Sequence, residues 1–166
     1  MKKLLLSIFF IAAASLTQAQ DIKPTKEVTQ RFINLILGKA VGEFYIEGTP
    51  IKIQSFSEAF TSFKFSIEDK EAGYLSVDEY SEIKWDELNS CVDFGGNKEN
   101  KNLERVLLVF DSKVLYINKD EGMNARTKYV NQFTIEIPVD RTTSLIKAFE
   151  RLSEIAKEEN KDPFTN

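Results

Sequence analysis

Apolar and polar positions follow two different periods along this chain, and the changes of period divide it into elements. An uncharged, mostly apolar run of thirteen residues, 4–16, comes first, behind Lys2 and Lys3. After it Pro24-Thr25 opens a helix. Val28, Phe32, Leu35 and Ile36 recur there at i, i+4, i+7 and i+8, a stripe of the 3.6-residue period that Ile33 and Leu37 widen. Gly38 or Gly42 ends the helix, because glycine takes the left-handed conformation other residues avoid. The stripe is expected to pack on the domain or to dock on a partner.

From Phe44 the period drops to two. Phe44-Tyr45-Ile46 and Ile51-Lys52-Ile53 flank the turn residues Gly48-Thr49-Pro50, and 63–67 alternates cleanly. Phe56, Phe60 and Phe63 also allow a short helix before that strand. Residues 74–77, 83–85 and 91–94 read as further short strands, and the polar stretch 95–102 as a solvated loop. Residues 105–110 and 114–117, joined by Asp111-Ser112-Lys113, read as the clearest hairpin of the chain. A polar loop over 118–128 and a strand over 129–137 follow, and Pro138 ends that strand because it cannot donate a ladder hydrogen bond. Asp140 is placed to cap the last helix. There Leu145, Ala148, Phe149, Leu152, Ile155 and Ala156 form one narrow stripe.

The expected fold is therefore α+β: an N-terminal helix, an antiparallel sheet or barrel of about seven short strands, and a C-terminal amphipathic helix packed on it. Lys2 and Lys3, the apolar run and the small residues around Ala19 predict a secretory leader of bacterial style over 1–19. The rest divides into a single globular domain, 20–157, and a polar tail, 158–166. With the leader cleaved after Ala19, the product is expected in the periplasm or outside the cell, with no membrane span left. This order of elements resembles the pleckstrin-homology-like barrel, in which two antiparallel sheets are plugged by a C-terminal helix. Ile83-Lys84-Trp85-Asp86-Glu87-Leu88 is similar to a strand-plus-turn segment of its bacterial and GRAM-type members. Residues 105–117, 133–137 and the final helix resemble the second sheet and its plug, so the resemblance covers 44–157. The closing helix carries Phe149 where many members carry tryptophan. Lys64, Lys70 and Lys84 lie scattered among acids, so the inositol-phosphate binding of some members does not carry over.

Composition then narrows the chemistry. The 166 residues include no histidine and one cysteine. That excludes histidine-based triads, histidine-ligated metals, an internal disulfide and cysteine-rich zinc sites. In an oxidising compartment Cys91, next to Val92 and near Leu88 and Phe94, is expected to be an inert core residue. A formal charge of −4, which loss of the two leader lysines takes to −6, argues against nucleic-acid binding. Ser144 and Lys147 match S-x-x-K, but the S-D-N and K-T-G partners are absent, so they read as a solvated helix face. Asp93, Asn97 and Glu99 could offer oxygens to calcium, without the EF-hand pattern, and Asp120-Glu121-Gly122 reads as a turn. No metal or cofactor is expected.

Asp78, Glu79, Glu82, Asp86 and Glu87 form an acidic patch around Tyr80 and Trp85. Two carboxylates about 5–9 Å apart could hydrolyse a glycoside. The patch could also be a charged sheet rim with Trp85 packed inward. The expected function is thus a small non-catalytic binding module for a protein, an envelope component or a small ligand. Tyr80, Trp85 and Asp86 are the candidate contact residues, and a carboxylate-dependent, glycosidase-like hydrolase built on the same patch is the alternative.

Overall fold

The structure, a computed structural model, describes residues 23–69 and 71–161, so the expected leader lies outside the described residues. Helix α1 covers Lys26–Gly38. Thr25 caps it, its Oγ1 accepting from the Val28 backbone N–H at 3.4 Å and satisfying a donor that has no partner inside the helix. Helix α1 buries only one side of the predicted stripe, Ile33, Ile36 and Leu37, and adds Thr29 to it. Thr29, Ile33, Ile36 and Leu37 are buried, while Val28 and Leu35 are 57% and 59% exposed. Both sets have the same spacing, so periodicity alone allows either. Thr29 tips the choice, because its hydroxyl donates to the Thr25 carbonyl at 2.8 Å and so can be buried at little cost.

Seven strands follow: β1 Phe44–Ile46, β2 Thr49–Phe56, β3 Ser62–Asp69, β4 Tyr74–Ser81, β5 Leu88–Gly96, β6 Leu103–Asp120 and β7 Arg126–Pro138. A single 3-10 turn, Trp85–Glu87, joins β4 to β5, and helix α2, Thr142–Glu159, follows β7. Every pairing is antiparallel, and the sheet curls into a half-barrel, the α+β arrangement the pattern predicts. Helix α2 buries the predicted stripe, from Leu145 through Ile155, and runs on to Glu159.

The segment 105–117 is not a hairpin. It belongs to one 18-residue strand, β6, whose first half pairs with β5, whose second half pairs with β4, and whose other edge pairs with β7. Asp111, Ser112 and Lys113 mark an irregularity at which the β7 register shifts between Val109 and Val114. A polar triplet has the composition of a turn, but a bulged, partly exposed stretch inside a strand uses the same residues. Three smaller readings also change. Residues 56–63 form no helix: β2 runs to Phe56, and Phe60 takes a left-handed φ of 57° before β3 begins. Glu82, at φ 62°, turns the chain out of β4, so Ile83 and Lys84 lie outside any strand. Asp140 sits at φ 70° in the turn before α2 and does not cap it. The Thr142 hydroxyl instead donates to the Glu104 carboxylate on β6.

The core is aromatic. Trp85 stacks on Phe149 of α2 with ring centres 5.5 Å apart, and Phe56 meets both. Phe63, Phe110 and Phe133 continue the cluster along the sheet. The Trp85 indole donates to the Phe60 carbonyl at 2.7 Å, the partner a buried indole N–H requires.

One side chain closes the curl. The Gln54 amide on β2 reaches the outer edge of β7, where its Nε2 donates to the Glu136 carbonyl at 2.6 Å and its Oε1 accepts from the Glu136 N–H at 3.0 Å. Gln54 therefore stands in for one residue of an eighth strand. It satisfies a buried edge that would otherwise leave both backbone groups unpaired.

Candidate functional site

The acidic patch does not converge in space. Strand alternation sends Asp78 and Glu79 to opposite faces of β4. Asp78 accepts from the Tyr116 hydroxyl at 2.7 Å and from the Asn118 amide at 2.9 Å, while Glu79 pairs with Lys119. Glu87 pairs with Lys84 on the 3-10 turn. Of the three candidate contact residues, Trp85 lies in the core at 7% exposure and Asp86 is half-buried beside it on the turn. Tyr80 is half-buried on β4, its ring stacked on Phe133 at 4.4 Å. Asp93 and Asn97 spend their carboxyl and amide oxygens on nearby backbone N–H groups of their own turns. Among the described residues no group of three or more acidic, cysteine or histidine side chains is placed to hold a metal.

Of the concave places, a large one lies clear of that patch and a small one takes in its Asp78 and Tyr80. The larger is a groove of about 580 Å³ between α1 and α2. The two helices run antiparallel, tied by Lys23 to Glu154 at 3.2 Å and by the Arg151 guanidinium to the Pro24 carbonyl at 3.1 Å. Pro24, Val28, Phe32 and Ala148 give the groove an apolar lining, and Ser144 and Lys147 stand on its α2 wall. Among the described residues Lys147 makes no ion pair, whereas Lys23, Arg151 and Glu154 satisfy one another. The volume is within the range of small-ligand sites, which are mostly apolar with few polar groups.

No protein-family model, no curated protein and no solved structure matches the chain. The two places must therefore be read from their own geometry.

The smaller place is a cavity of about 60 Å³ lined by Tyr45, Phe65, Asp78, Tyr80, Thr134 and Glu136. Strands β3 and β4 supply Phe65, Asp78 and Tyr80, and β7 supplies Glu136. Tyr45 of β1 meets Phe65 edge-on, with ring centres 5.5 Å apart. Alternation puts Glu136 on the face opposite Phe133, Ile135 and Ile137, which a sequence reading leaves wet. At this end of the sheet that face is covered. Asn97, in the turn after β5, donates to both the Tyr45 carbonyl and Glu136 Oε2. Glu136 is left 3% exposed.

Burial pushes the Glu136 carboxyl up to about 7, against the smaller opposing pull of the Asn97 amide and the Arg105 charge. Burial also raises the Tyr80 and Tyr116 hydroxyls, with the negative charge of Asp78 adding to both. Nothing in the sequence around Glu136 marks it except its type: a carboxylate set between two isoleucines in a strand. The signal would have been that β7 has both faces covered at its C-terminal end, which depends on where β1 docks.

Proposed function

We propose that this is a non-catalytic binding protein of the periplasmic or secreted compartment, and that the groove between α1 and α2 receives an anionic amphiphile. The observation that carries this reading is the second apolar face of α1. Ile33, Ile36 and Leu37 already anchor the helix in the core, yet Val28 and Phe32 line an open groove. A helix apolar on more than one side is normally covered on each. An alkyl chain laid over Val28, Phe32 and Ala148 supplies that cover. Lys147, which makes no ion pair among the described residues, offers its ammonium to an acidic head group.

The hydrolase alternative has no comparable support, because its carboxylates face in different directions. Calorimetric titration with dodecanoate tests the groove. Binding is expected in the wild type, with at least a tenfold loss in Val28→Asp. Val28 is exposed in the first turn of α1, where an acid suits the helix dipole, so that variant keeps the fold. Absence of dodecanoate binding, or equal binding by a folded Val28→Asp, refutes the assignment.

A further inference from the structure

We propose that the cavity between β1, β3, β4 and β7 is a second, independent binding site, shaped for the protonated head group of a small amine. Three aromatic rings, Tyr45, Phe65 and Tyr80, border it together with two carboxyl groups, Asp78 and Glu136. Aromatic rings attract ammonium groups through their negative faces, and the attraction grows when water is excluded. A buried carboxylate is costly unless a cation meets it. Glu136 is 3% exposed, and among the described residues no ion pair reaches it.

Arg105, whose charge reaches Glu136, does not pair with it. Arg105 lies directly across from Glu136 in the β6–β7 register. It sets its guanidinium over the Phe94 ring at 5.0 Å and donates to the Gly96 carbonyl. The protein therefore keeps an acid in an aromatic enclosure and leaves its countercharge to come from outside. The volume of about 60 Å³ is several times the minimum of about 10–15 Å³ for one water, and far below that of a sugar or nucleotide site. An amine carrying one or a few carbons fits that size.

The groups facing Glu136 decide the pH dependence. They are Arg105 on β6, Tyr45 on β1, and Asp78 and Tyr80 on β4; Asn97 and Gln54 are neutral. The tyrosines stay protonated well above neutral pH, so Glu136 is the group that titrates near 7. Cation binding must then release the Glu136 proton, and affinity rises as pH rises through that value.

The test is an NMR titration of the wild-type protein with methylammonium chloride, read at the Tyr45 and Tyr80 ring signals against sodium chloride at equal ionic strength. Saturable shifts are expected with methylammonium alone, and half-saturation should fall about tenfold between pH 6 and pH 8. Glu136→Gln is expected to bind at least tenfold more weakly at pH 8 and to lose the pH dependence. Tyr45→Leu, which removes a ring and leaves every charge, is expected to weaken binding at both pH values. Absence of a saturable shift at pH 8 overturns the proposal. So does an affinity equal at pH 6 and pH 8, or wild-type affinity in both variants. Dodecanoate binding in the interhelical groove is unaffected by either substitution, so failure here and failure of the groove assignment are distinguishable.

Discussion

The free energy held at Glu136 can be measured directly. Its carboxyl rises from 4.5 to about 7 on folding, chiefly because burial penalises the charged form. The sign follows from which state holds the proton. Below pH 4.5 both folded and unfolded chains are protonated there, and the group costs nothing. Between pH 4.5 and about 7 the unfolded chain releases the proton while the folded chain retains it, so stability falls as pH rises. At about 1.4 kcal/mol per pKa unit, the full effect is about 3 kcal/mol, reached above pH 7. Glu136→Gln removes the titration and still accepts from the Asn97 amide. Urea unfolding of the two proteins at pH 5 and pH 8 is the assay. The variant is expected to be more stable by about 3 kcal/mol at pH 8 and by less than about 1 kcal/mol at pH 5. A variant less stable than wild type at pH 8, or a gap of equal size at both pH values, would refute the account of an uncompensated buried charge.

Two further outcomes follow from the fold. Gln54→Ala strips partners from the Glu136 N–H and carbonyl, and the loss is expected to be about 2–4 kcal/mol in denaturant unfolding, where a loss below about 0.5 kcal/mol would show that the seam is wet. Burial pushes the Cys91 thiol up to about 12, so Ellman's reagent should titrate it only after denaturant is added, and immediate labelling of the native protein would contradict its burial.

Which parts of this architecture the sequence reveals depends on what each residue must satisfy. The α2 stripe is legible because 145, 148, 149, 152 and 155 meet a single surface, and strands β1 to β5 follow from alternation and glycine turns, whereas 83–85 has the look of a strand and forms the connection between β4 and β5. The α1 rotation is not legible, since both of its faces are apolar and the choice rests on a buried threonine hydroxyl. The continuity of β6 is hidden because Asp111-Ser112-Lys113 looks like a turn, and only pairing with two different strands on one side keeps it extended. Both concave places arise from contacts distant in sequence. Val28 reads as core until α2 is placed beside α1, and Glu136 reads as exposed until Tyr45 and Asn97 cover it.

The Gln54 contact also has a place in the order of folding. Strands β6 and β7 are sequence neighbours joined by residues 121–125, so their long ladder closes at small loop entropy. Gln54 and Glu136 are 82 positions apart, and their bond can form only after β1 to β4 have curled round to meet β7. The last contact to close, made by one amide rather than by a strand ladder, is the natural first one to open in a local fluctuation of the native state. Such an opening would part β2 from β7 beside the Glu136 cavity, and exchange of the Glu136 amide hydrogen would report how often it happens.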